Sequence, residues 1–134
     1  MEIVNKRQWK INKILHYLLR ERFRKKIEFN FPENIDRWNL INEIILVKNF
    51  SSYLEIGCDN DDAFSKIKLN DKIGVDPHSG GNFRGTSDLF FHQNKKKFDC
   101  IFIDGLHEYD QVNKDISDSL DSLNENGIIL LHDC

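Results

Sequence analysis

Four short apolar runs, each finishing beside an acidic residue, constrain this chain more than any other feature. Residues 53–57 (YLEIG), 72–76 (KIGVD), 98–104 (FDCIFID) and 127–132 (GIILLH, with Asp133 next) are short and apolar and lie between polar turns. Runs of that length and texture read as buried strands rather than helices. A weaker strand is predicted near 83–86. Between the last two runs, Val112, Ile116, Leu120 and Leu123 recur at helical spacing and predict a helix with one apolar face. Strands alternating with helices imply right-handed crossovers and a mainly parallel sheet. The predicted fold class is α/β, a Rossmann-like, mainly parallel sheet.

The N-terminal region has a different texture. Residues 1–30 carry nine Lys or Arg against three Glu, whereas the rest carries ten against nineteen, so the net charge of −3 conceals a basic arm before an acidic body. Ile11, Ile14, Leu15 and Leu18 predict an amphipathic helix over 6–27, with Lys6, Arg7, Lys10, Lys13, Arg20 and Arg24 on its other face. A solvated basic face on a packing helix accounts for this pattern. No aromatic platform or zinc motif accompanies the charge, which argues against nucleic acid. Phe31-Pro32 ends that helix, because proline cannot continue it. A second helix is predicted over 32–47, with Ile35, Trp38, Ile41, Ile44 and Ile45 on one side. The expected domains are a basic helical arm, 1–31, and a Rossmann-like domain, 32–134. No apolar run approaches the roughly 18–20 residues of a membrane span. Three cysteines, Cys58, Cys100 and Cys134, show no C-x-x-C spacing. That argues against a disulfide framework or a structural zinc site, so a reducing cytoplasm is expected.

Ligands of open parallel sheets bind beyond the carboxyl ends of the strands. Those ends place Glu55 and Gly57, Asp76, Asp104, and His132 with Asp133 along one rim. The turn after the first strand, GCDNDD, has one glycine and three aspartates, which would repel a pyrophosphate. NAD is therefore disfavoured. A ligand with ribose hydroxyls, an amine and a cationic centre but no phosphate suits the turn better, and S-adenosylmethionine has all three.

The segments YLEIGC (53–58), GVDP (74–77), GTSDLFF (85–91), FDCIFIDGLHEYDQVNKDI (98–116) and GIILLHDC (127–134) carry a family resemblance. Over residues 38–134 the chain resembles small class I S-adenosylmethionine-dependent methyltransferases, nearest to bacterial proteins related to the macrocin- and catechol-type O-methyltransferases. The resemblance implies strand order 3-2-1-4-5, with the family's strands six and seven missing beyond Cys134, as in a truncated chain. It implies that Glu55 and Gly57 lie beneath the methionine part of the cofactor, that Asp76 holds the ribose, and that Ser87 and Asp88 contact the adenine. Asp104 is expected at the cofactor and, with Asp133, as a ligand of Mg²⁺ or Mn²⁺. His107 is the expected general base, with His132 a weaker candidate. The second glycine of the family's strand-one turn falls at Asp61. The expected acceptor is a hydroxyl on a sugar or other small molecule. The open edge of strand five is expected to be covered by a second copy or by the N-terminal helices, making a homo-oligomer the expected state. A catalytically silent cofactor-binding module, or another Rossmann enzyme using NAD or a nucleotide sugar, stands as an alternative.

Overall fold

The structure is a computed structural model that describes residues 35–132. The basic arm, the start of the second helix, Asp133 and Cys134 lie outside the described residues.

A helix, α1 (Arg37–Lys48), leads into β1 (Tyr53–Ile56), a 3₁₀ turn (Phe64–Lys66), β2 (Lys72–Asp76), β3 (Phe83–Arg84) and α2 (Ser87–Gln93). Then follow β4 (Phe98–Ile103), α3 (Tyr109–Asp121) and β5 (Leu123–Leu131). The five strands form one sheet in the order β3-β2-β1-β4-β5, every pair parallel. The expected fold and strand order are therefore those observed. β1 is central: Leu54 lies opposite Ile73 on β2 and Ile101 on β4. All four of its residues are buried, as befits a parallel strand covered on both faces.

Side-chain alternation sorts the core into two layers. Tyr53, Cys100 and Phe102 pack with Ile41 and Ile45 of α1 on one face. Leu54, Ile56, Ile101 and Ile103 pack with Phe90 of α2 on the other. Each such side chain contributes about 1.5–3 kcal/mol on burial.

Several local expectations change. Helix α1 starts at Arg37, so Ile35 precedes it and is 56% exposed instead of joining the apolar side. The helix ends at Asn49, whose left-handed backbone returns its N–H to Ile45 and Leu46 carbonyls. Thr86 does not extend β3. Its hydroxyl accepts the Leu89 N–H at 3.2 Å and caps α2, a helix the apolar spacing does not announce. Leu123 begins β5, because α3 ends at Asp121. On α3 the fully buried side chains are polar, Asp115 and Ser119, whereas Leu120 is 59% exposed. No helix among the described residues is long and apolar enough to cross a membrane.

Candidate functional site

The carboxyl ends of β1, β2 and β4 and the first turns of α2 and α3 border a cleft of about 500 Å³. That volume lies within the range of small-molecule sites. Gly57, Asp76, Ser87, Asp88 and Asp104, all singled out from the sequence, line it together. Residues from four separate segments thus meet in one place.

The floor is a backbone contact. Gly57 has φ +84°, and a Cβ there would sit 2.3 Å from the Asp104 carbonyl oxygen, so the turn passes beneath β4 only as glycine. Asp61, where the resemblance implies a second glycine, also adopts a left-handed backbone, and its Oδ1 accepts the Gly81 N–H at 2.6 Å. Its carboxylate is thereby tied to the loop after β2.

Asp76 organises the same region. Its Oδ2 accepts the N–H groups of Cys58 (3.2 Å) and Asp59 (3.0 Å), and its Oδ1 those of His78 (2.8 Å) and Ser79 (2.9 Å). Burial alone would raise this carboxyl, but the bonds from Ser79, His78, Asp59 and Cys58 hold it below its ordinary value. All four lone-pair positions are in use, so Asp76 clamps the loops after β1 and β2 to each other.

Opposite lies a polar network. Gln111 on α3 reaches Ser87 and Asp88 on α2 and Asp115 one turn along its own helix, at 3.2, 3.2 and 3.0 Å. Lys114 and Gln111 lower the Asp88 carboxyl, while burial raises that of Asp115. Gln111 and Asp115 were missed in reading the sequence. Their spacing of four on one helix was the available signal.

The rim of β4 carries a third group. Asp104 Oδ2 meets Arg37 Nη1 at 2.9 Å, and its Oδ1 meets His132 Nδ1 at 3.0 Å and His107 Nε2 at 4.0 Å. Arg37 had no sequence signal, since it lies far from Asp104 along the chain. Glu55 lies elsewhere than the cleft lining. It is buried within the sheet, where its Oε2 accepts the Tyr53 hydroxyl at 2.5 Å, and burial pushes its carboxyl up to about 7.

Among the described residues no group of three or more His, Cys, Asp or Glu could hold a metal; a guanidinium lies against Asp104, and the other expected metal ligand, Asp133, lies outside the described residues. The cleft does fit S-adenosylmethionine: the close glycine turn, the polar network and the acidic rim suit a phosphate-free nucleoside bearing a positive centre.

No curated protein and no solved structure matches the chain. Residues 54–134, more than half of it, match the family model described as a methyltransferase domain, and this span contains the strands and loops that build the cleft. With that match and a five-stranded sheet in the order 3-2-1-4-5, the chain belongs to the methyltransferase domain family.

Proposed function

We propose that the chain is a class I S-adenosylmethionine-dependent methyltransferase that methylates a hydroxyl of a sugar or other small molecule. The observation that carries this is the cleft itself, with Gly57 at its floor, an acidic rim and the Ser87–Gln111 network at one end. Bound there, S-adenosylmethionine supplies an electrophilic methyl group. The protein's part is to position and deprotonate the acceptor. Gly57 and Asp104 border the methionine end, and Ser87 and Asp88, tied by Gln111, border the adenine end. Asp76 faces the ribose, and a ribose hydroxyl reaches its Oδ1 by displacing the His78 or Ser79 N–H. His107, half-exposed and 4.0 Å from Asp104, takes the acceptor proton.

Titration calorimetry of the full chain with S-adenosylhomocysteine, NAD and a nucleotide sugar tests the reading. Binding of the first alone supports it, and preference for either of the others overturns it. His107→Gln should lower turnover by about 10²-fold or more while leaving S-adenosylhomocysteine affinity within twofold. Among the described residues β5 pairs only with β4. We place the expected self-association along that edge, and sedimentation of the chain over a range of concentrations checks it.

A further inference from the structure

We infer that Arg37 and Asp104 together receive the amino-acid end of the cofactor, the guanidinium taking its α-carboxylate and the Asp104 carboxylate its α-ammonium. The inference rests on the cofactor reading above and extends it to a residue outside the matched span 54–134.

A zwitterion needs both charges at one place, and an acidic rim offers only one of them. Two cations of the cleft region are already committed. Arg84 donates to the carbonyl oxygens of Asp76 and Gly80, each at 3.0 Å, and Lys114 is shared between Asp88 and Asp118. Arg37 differs. It meets Asp104 through Nη1 at 2.9 Å, its side chain is 37% exposed, and its buried Nε has no hydrogen-bond partner among the described residues. A guanidinium has five N–H donors in a rigid fork suited to a carboxylate. Engaging a second carboxylate while keeping Asp104 is within that geometry.

Position agrees with charge. The cleft runs from the Ser87–Gln111 network to the Gly57–Asp104 contact. A nucleoside seated at the first end directs its tail toward the second. The positive charge of Arg37 also reaches Glu55 at the end of β1, where it opposes the upward pull of burial. Arg37 thus stands over the β1–β4 junction, where the tail ends.

The test compares two ligands that differ only at that tail. S-adenosylhomocysteine carries the amino-acid end, and 5′-methylthioadenosine lacks it. Titration calorimetry of the full chain is run on the parent, Arg37→Met and Arg37→Lys, with circular dichroism confirming the fold. Arg37→Met should weaken S-adenosylhomocysteine at least tenfold and leave 5′-methylthioadenosine within twofold, and Arg37→Lys should recover part of the loss. Equal weakening of both ligands by both variants, or no weakening of either, overturns the inference while leaving the cofactor reading standing. A parent chain that binds neither ligand overturns the cofactor reading and this inference with it.

Discussion

Strand β4 carries an aspartate near each end, and the two are held by different means. Asp99, at the amino end, is surrounded by neutral donors. Its Oδ2 accepts from the backbone N–H and hydroxyl of both Ser51 and Ser52, and its Oδ1 accepts from Asn124. Burial would raise that carboxyl, and the bonds from Ser51, Asn124 and Ser52 overcome it and bring it down to about 2. Asp104, just past the carboxyl end, is held by charged and chargeable side chains, Arg37 and His132, and borders a cleft. Asp99 ties the start of β1 to β5 and leaves no position for a ligand. Asp104 has partners that a zwitterionic ligand can divide with it. The same residue type is thus saturated where adjacent chain supplies the donors, and on the proposed reading stays open to a ligand where long side chains share it at the rim.

The largest test uses a third carboxylate, Glu55, buried between those ends. Its folded-state value of about 7 lies above the ordinary 4.5. Its contribution to stability is therefore complete below about pH 4.5 and is lost as the pH rises through 7, a fall of about 3 kcal/mol. Asp99 has the opposite sign, with stability present above its ordinary 3.8 and lost as the pH falls toward 2. Urea denaturation across pH should show a maximum near pH 4–5. Glu55→Gln should flatten the neutral side and leave the acid side unchanged. A slope that survives the substitution assigns the titration to another group.

Asp99→Ala should cost about 2–3 kcal/mol of stability, because it strands donors at the foot of β1, and should leave S-adenosylhomocysteine affinity within twofold. A loss of affinity at constant stability would erase the distinction between the two ends.

Asp76→Ala probes a carboxylate that clamps two loops and that the proposed function also sets against the ribose. Freeing four backbone N–H groups should cost about 2 kcal/mol in denaturation, and S-adenosylhomocysteine binding should weaken as the two loops part. A drop in affinity with no drop in stability would show that the ribose contact outweighs the clamp.

The smallest stability change is expected at the rim. Asp104→Asn should weaken S-adenosylhomocysteine about tenfold and alter stability by only about 0.5 kcal/mol. A stability loss matching that of Asp99→Ala would make Asp104 another structural clamp.

What the chain spells out locally was legible before any coordinates. Short buried strands and the acidic rim follow from apolar runs and from the rule that parallel strands need crossovers, whereas the strand order came from the family resemblance. Lys72–Asp76 appears with the expected bounds, and Gly57, Asp76, Ser87, Asp88 and Asp104 converge because each follows a strand of one sheet. Apolar pattern says where backbone goes, since burial acts on every side chain of a face. It does not say how a polar side chain spends its hydrogen bonds. That Asp76 is filled by four N–H groups, that Glu55 turns inward to Tyr53, and that α3 buries Asp115 rather than Leu120 depend on which donors lie within about 3 Å once the strands have paired. Arg37 is the clearest case. Nothing beside it in the chain marks it, and only the packing of α1 against β1 and β4 brings its guanidinium to Asp104.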